Sequence, residues 1–350
     1  MTFEALTGRQ VYTELIEAGH ALDHIKLARA AHAVVVAPAT ADFLARAATG
    51  RADDLLSACL LATTAPVLLV PAMNDRMWAH AQTRENVAHL RSLGYRVLDP
   101  HVGELAVGEG FGPGRMPEPE VILAHVARLL ESHENWRGRR VVVSAGPTRE
   151  AIDPVRFISN RSSGKMGVAL AAAAWRRGAD VVLVAGPVST PLPIGVRVVH
   201  VEATDEMRDA VAREVPEADV LIMAAAPADF RPRSPADSKL KKSAGPAPIE
   251  LEGTPDILGE TRPLRRNGIV TVGFALETHD AMTNARAKLE AKGLDLIVLN
   301  VAGEKGAGFD VDTNRVTLVS RDAVEELPLS AKTEVAEAIL DRIEGQLRGR

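Results

Sequence analysis

The chain reads as an α/β protein in two consecutive parts, and three observations carry that reading. Short runs rich in Val, Leu and Ile alternate with longer Ala-rich amphipathic stretches, the pattern of parallel strands covered by helices on both faces. Its 350 residues exceed the ~150 of a comfortable single domain, so each part can bury a core of its own. Between 131 and 139 the text turns polar and aperiodic, and a new strand starts directly afterwards.

In the first part the pattern predicts strands at 33–37, 67–70 and 96–98, with helices at 42–48, 78–92 and 118–130. Three strands make a thin sheet. The boundary divides the chain into a first domain, 1–131, a linker, 132–139, and a second domain, 140–350. The second predicts strands at 140–144, 180–184, 196–201, 220–224, 269–274, 296–300 and 315–319, and helices at 165–177, 205–215, 279–291 and 331–347. That is a complete doubly wound domain. Segment 231–248 mixes Pro, Ser, Gly and Lys without a period and reads as a mobile loop of about 18 residues, the length of a lid.

Composition excludes several classes of function. With 3% aromatic residues and a formal charge of −5, stacking platforms and basic surfaces for single-stranded nucleic acid are lacking. The longest apolar stretch, around 60–73, is broken by Thr63, Thr64 and two prolines and falls short of the ~20 residues a bilayer requires. A lone cysteine, Cys59, forms no internal disulfide and reads as a buried core thiol. With no charged-then-apolar leader at the start, a reducing cytoplasm is expected. Scattered histidines give no metal-ligand spacing, so a divalent ion is expected only in company with a nucleotide.

The second part carries the strongest local signal. Residues 146–167 (GPTREAIDPVRFISNRSSGKMG) run from a strand end to a helix start, where backbone N–H groups and the helix dipole favour anions. The phosphate-loop pattern is not met, because Met166 stands where a magnesium-binding hydroxyl belongs. Ser162, Ser163, Gly164 and Lys165 in succession still point to an anion site. Lys239, Lys241 and Lys242 sit on the expected lid and read either as a solvated charge run or as cations that fold over phosphates. Asn74, in PAMNDRMW, is either a helix cap or a polar contact at a strand end, and His24 is either structural or chemical. The glycine cluster 108–116 does not match a dinucleotide fingerprint and reads as a flexible flap, which weakens a nicotinamide oxidoreductase.

Several strings taken together (HIKLA, APATADFLARAATGRADDLL, PAMNDRMW, GRMPEP, AGPTREAIDPVRFISNRSSGKMG, AAAPADF, SKLKK and VGFALET) resemble one family along almost the whole chain. It is the bacterial bifunctional coenzyme A biosynthesis family, phosphopantothenoylcysteine decarboxylase fused to phosphopantothenate-cysteine ligase. The resemblance implies a flavodoxin-like first domain and a Rossmann-like ligase domain. In the ligase, CTP, as its Mg2+ complex, activates the carboxylate of 4'-phosphopantothenate as an acyl-cytidylate, and the cysteine amine then releases CMP. The family's intermediate-binding asparagine falls on Asn160, with Arg156 beside it, and its lid lysine on Lys239, followed by Lys242. The cytidine pocket falls on Ala225, Ala226, Asp229 and Phe274, and Ser162, Ser163 and Lys165 border phosphates.

For the first domain the resemblance implies an FMN-dependent decarboxylase, with His24 as base, Asn74 on the leaving carboxylate and Thr40 on the stretch approaching the flavin. Two departures bear on it. The family opens with a strand and a Gly-rich turn that hold the FMN phosphate, roughly 50 residues that do not precede Met1 here. Val107 stands where the family's flap cysteine donates a proton. The expectation is a working ligase and an impaired decarboxylase; the alternative is a ligase alone, with the first domain kept as an oligomerisation scaffold. The family's flavin domains form trimers and its ligase domains dimers.

Overall fold

The computed structural model describes residues 2–15, 22–108, 110–241, 248–277, 279–301, 308 and 311–348. It divides into two compact units, Met1–Glu131 and Ser132–Arg350.

The first unit begins with helices α1 (Thr2–Thr7) and α2 (Asp23–Ala30) and is built on a three-stranded parallel sheet of β1 (Val34–Ala39), β2 (Val67–Pro71) and β3 (Arg96–Val97). Central β2 is buried throughout, as its unbroken apolar run requires. Strand β1 lies at the edge and leaves Val35 exposed. Helix α3 (Ala41–Ala48) starts where the Thr40 hydroxyl accepts from the Phe43 N–H at 3.1 Å. Helix α4 (Leu55–Ala62) starts on a reciprocal cap between Asp54 and Ser57. Phe43, Leu44, Leu60, Leu69, Trp78 and Leu90 fill the core.

The helix expected over 78–92 is two helices, α5 (Asp75–Ala79) and α6 (Ala81–Ser92). His80 is extended between them, and its ring nitrogen accepts from the Gln82 N–H, which restarts the helix. The expected flexible flap is an ordered hairpin of β4 (His101–Glu104) and β5 (Phe111–Arg115). Its glycines permit close docking: a Cβ on Gly114 would lie 2.1 Å from the Met73 carbonyl oxygen. Helix α7 (Pro119–Glu131) ends the unit with no buried residue.

The second unit holds an eight-stranded sheet. In spatial order it runs β10 (Arg197–His200), β9 (Asp180–Ala185), β6 (Arg140–Ala145), β11 (Val220–Met223), β14 (Val270–Glu277), β15 (Leu296–Val301), β17 (Thr317–Val319) and β18 (Val324–Glu326). The first six are parallel, and β17 and β18 are antiparallel. No described helix separates β15 from β17, so the chain turns back rather than crossing over.

Side-chain alternation assigns the helices to faces. Leu221, Ile297 and Leu299 pack with Met207 of α9 (Thr204–Glu214), Leu258 of α10 (Ile257–Glu260) and Leu289 of α11 (Ala281–Lys292). On the opposite side α8 (Lys165–Arg176) lies against β6 and against α12 (Lys332–Arg348). Three short antiparallel pairings decorate this frame: β7 (Arg149–Ala151) with β8 (Phe157–Ser159), β12 (Phe230–Pro232) with β13 (Leu251–Gly253), and β16 (Thr313–Asn314) with β19 (Ser330–Ala331). The segment expected as one long loop therefore begins as a strand, because Phe230–Pro232 finds a partner beyond the lid.

The polar stretch 132–139 is packed rather than loose. Trp136 is fully buried, and its indole N–H donates to Glu344 of α12 at 2.9 Å. Asn135 donates to the other Glu344 oxygen at 2.8 Å. The single tryptophan supplies the apolar anchor that a window of polar residues conceals.

Candidate functional site

The cleft of the second unit lies at the carboxyl ends of the parallel strands. After β6 the chain turns at Gly146, and the Ala226 N–H donates to the Gly146 carbonyl while the Ala225 N–H donates to the Ser144 hydroxyl. These bonds fasten the end of β11 to the end of β6. The Asn160 side-chain amide, arriving from β8, donates to the carbonyls of Ala226 (3.2 Å) and Pro227 (2.9 Å).

Helix α8 begins at the same place. Gly164 precedes it at φ 76°, in the left-handed region, and a Cβ there would lie 2.3 Å from the Val188 side chain. One turn on, a Cβ at Gly167 would lie 2.5 Å from that of Ala145. The two glycines let the helix start abut the end of β6, directing its first N–H groups into the cleft.

The result is a cleft of about 360 Å³. Of the residues expected to bind substrate, Asn160, Ser162, Ser163, Lys165, Ala225, Ala226, Asp229 and Phe274 all line it. An adjoining recess is lined by Asp229 and Phe274 together with Thr254, Asp256, Lys288 and Lys292. Lys288 donates to the Phe274 carbonyl at 2.7 Å, and burial pushes its ammonium group below the ordinary lysine range. Lys292 pairs with Asp256, which also caps α10.

Lys288, Lys292, Asp256, Asn300, Asn314 and Lys332 line the cleft or its recess without having been singled out in the sequence. The Lys288/Lys292 pair, one turn apart after a strand end, was the available signal. For the others the sheet order had to be known.

Other expected residues lie elsewhere. Arg156 is outside the cleft wall, bonded to Asp153 and to the Leu240 carbonyl at 3.1 Å. Lys239 and Lys241 are exposed on the lid and are not part of that wall. Lys242 lies outside the described residues.

In the first unit Thr40 follows β1 and Asn74 follows β2, so both stand at the carboxyl edge of that sheet. Thr40 caps α3, and the Asn74 side-chain oxygen accepts from the Arg76 N–H at 2.9 Å. His24 lies in α2, its Nδ1 buried without a hydrogen-bond partner among the described residues. Cys59 is half-buried; its thiol faces the His24 carbonyl at 3.5 Å, and burial raises its pKa. Val107 is fully exposed on the flap.

A thin three-stranded parallel sheet followed by a doubly wound unit with a cleft at its strand ends is a recognisable combination. Residues 1–131 match the Flavoprotein family, and residues 136–347 match the DNA/pantothenate metabolism flavoprotein C-terminal domain. The chain belongs to the family of bifunctional coenzyme A biosynthesis proteins. It is 49% identical to the coenzyme A biosynthesis bifunctional protein CoaBC of Mycobacterium tuberculosis, over 99% of this chain and 87% of that one. The CoaBC proteins of Vibrio cholerae and Bacillus subtilis are each 44% identical, over 99% and 98% of this chain and 88% and 86% of theirs. A solved C-terminal domain of a CoaBC superposes with a TM-score of 0.53 at 40% identity, covering 62% of this chain and all of that one. A DNA/pantothenate metabolism flavoprotein from Streptococcus pneumoniae gives 0.51 at 25% identity, over 60% of this chain and 99% of that one. Among the described residues no helix is long and apolar enough to cross a membrane.

Proposed function

We propose that the second unit joins cysteine to 4'-phosphopantothenate using CTP, and that the first unit decarboxylates the product, 4'-phospho-N-pantothenoylcysteine, with FMN. The observation that carries the ligase reading is the convergence of Asn160, Ser162, Ser163 and Lys165 with Ala225, Ala226, Asp229 and Phe274 on one cleft. The flavoprotein match over 1–131 and the bifunctional relatives favour two activities over a ligase with a scaffold.

The cleft suits acyl activation. The pantothenate carboxylate attacks the α-phosphate of CTP, a mixed anhydride forms and pyrophosphate departs. Serine hydroxyls, Lys165 and the first N–H groups of α8 offset the phosphate charge, and Lys288 and Lys292 add cations at the recess. Lys239, swinging in with the lid, neutralises the departing pyrophosphate. Mg2+ enters with the nucleotide phosphates. Asn160 holds the acyl-cytidylate with a group that neither attacks nor hydrolyses it.

In the first unit the residues present suit FMN: Thr40 and Asn74 stand at a sheet's carboxyl edge, and the orphaned Nδ1 of His24 awaits a partner. FMN supplies reversible two-electron oxidation of the cysteinyl thiol. His24 takes the proton and Asn74 orients the carboxylate that leaves. We place the protein in the cytoplasm, as an oligomer built from ligase dimers and flavin-domain trimers.

The test is pyrophosphate release from CTP and 4'-phosphopantothenate, followed by cysteine-dependent CMP release, on a protein also scanned for flavin absorbance. A Lys239→Gln variant should release no pyrophosphate. Full turnover by that variant removes the lid lysine from the mechanism, and a colourless protein without decarboxylase activity restores the scaffold alternative.

A further inference from the structure

The cleft has a polar stretch of which nucleotide and acyl chemistry use only Lys165. Lys165 at the start of α8, Asn300 near the end of β15, Asn314 in β16 and Lys332 at the start of α12 all line it. Asn300 lies on the face of β15 opposite Ile297 and Leu299, the face that α8 and α12 cover.

Asn314 is 1% exposed. Its side-chain oxygen and that of Asn300 are both shielded from solvent and find no hydrogen-bond partner among the described residues. A buried acceptor left unsatisfied costs about 1–3 kcal/mol, so two in one cleft call for a ligand bearing N–H groups.

Two ammonium groups adjoin them. Lys332, 6% exposed, donates to the carbonyls of Gly308 at 2.9 Å and Val311 at 2.6 Å. Lys165 meets the Asp312 carboxylate at 2.6 Å. That carboxylate is 89% exposed, and its bond to Lys165, with the charge of Lys332 adding, holds it below the ordinary range. The pair of lysines therefore already draws a carboxylate to this wall. N–H acceptors beside carboxylate-attracting cations are the chemical complement of an α-amino-acid head group.

We propose that Asn300 and Asn314 hold the amine of the cysteine co-substrate and that Lys332 holds its carboxylate, with Lys165 shared between that carboxylate and the phosphates. The proposal rests on the ligase reading above. Bound there, the ammonium gives one proton to solvent and the free amine forms the C–N bond with the acyl carbon. The acyl C–O bond breaks with its electron pair on the departing CMP, and the second surplus proton leaves to solvent. By accepting N–H bonds, the two amides keep the nitrogen lone pair free for the acyl group.

The two half-reactions of the full-length protein separate this proposal from its parent. In Asn314→Ala, pyrophosphate release without cysteine should stay within about threefold of wild type, while the KM for cysteine rises roughly tenfold or more, the loss of one charged hydrogen bond. Asn300→Ala repeats the measurement at a less buried position should Asn314→Ala not fold. Lys332→Gln should narrow the preference for cysteine over cysteamine, which has the same thiol and amine but no carboxylate, at least fivefold. An unchanged cysteine KM in the folded variants, an equal loss in both half-reactions, or a raised KM for CTP alone overturns the seat. A wild-type protein that releases no pyrophosphate overturns the ligase reading and the seat with it.

Discussion

Asp153 and Arg156 are bound to each other, and both also hold the backbone of Leu240. Arg156 donates to the Leu240 carbonyl at 3.1 Å, and the Leu240 N–H donates to the Asp153 carboxylate at 3.2 Å. The Asp153 side chain is wholly buried and also accepts from the backbone N–H groups of Val155 and Arg156. Leu240 directly follows Lys239, so the pair fixes the root of the lid lysine. Arg156 is in this view a positioning residue.

Asp153→Ala should therefore slow pyrophosphate release by roughly tenfold, about 1.4 kcal/mol in the barrier, with little change in the KM for CTP. Arg156, followed by the backbone donors, holds the Asp153 carboxyl well below the usual carboxylate range, against the opposing effect of burial. A depressed pKa means that the clamp is at full strength above about 4 and weakens only as pH falls through the lower folded value. Burst amplitudes measured from pH 9 to pH 5 should show no loss assignable to it.

Lys288 leads to a second pH prediction. Burial depresses its pKa, the Lys292 charge adds to the effect, and Glu277 opposes it. As pH rises, Lys288 should lose its charge before an ordinary lysine does, and the KM for CTP should climb through that lowered value. In Lys288→Met the KM should be raised roughly tenfold at pH 7, the scale of one charged hydrogen bond, and should be nearly flat between pH 7 and pH 10. A wild-type profile that is equally flat removes Lys288 from phosphate binding.

The strand-end motif was legible in the sequence because one short segment, 146–167, holds the turn, the asparagine and the helix start together, whereas Ala225, Ala226, Asp229 and Phe274, which line the same cleft, were reached only through the family resemblance. Asn300, Asn314 and Lys332 were reached by neither route. They come from β15, β16 and α12, and only the antiparallel return at β17 sets β16 and the start of α12 beside the parallel strands. The packing of Trp136 was hidden because its partner, Glu344, lies at the far end of the chain. The flap hairpin was hidden for another reason: Gly112 and Gly114 suggest flexibility, yet their lack of a Cβ is what allows the strand to dock against Asp75 and Met73. Periodicity reads the elements and not the order in which a sheet assembles them.

Gly167→Ala tests how closely α8 must approach β6. The added methyl would meet the Ala145 side chain at 2.5 Å and the Ser144 carbonyl at 2.8 Å. Relief requires the helix to shift, at a cost of about 1–3 kcal/mol in thermal or denaturant unfolding of the second unit. Because the shift displaces the helix start, pyrophosphate release should fall by more than the unfolded fraction accounts for. A stable variant with normal release would show that the helix start is not held against the phosphates.

Glu344 offers the last test, through Trp136. Burial alone would raise the Glu344 pKa, but hydrogen bonds from Asn135, His133 and Trp136, with Arg348 adding, bring it to about 2. A carboxylate depressed in the folded state contributes stability that is present above its unfolded value, near 4.3, and is lost as pH falls toward 2. Glu344→Gln should therefore lower the stability of the second unit at pH 7 by roughly 1.5–3 kcal/mol, the worth of a charged hydrogen bond. The difference from wild type should hold from pH 7 to pH 5 and close between pH 4 and pH 2, as the wild-type carboxyl becomes neutral too. Trp136 emission reports it directly, since the indole N–H loses a charged acceptor in the variant at every pH and in wild type only in acid. A stability gap that does not change with pH would mean that Glu344 acts through packing rather than through its charge.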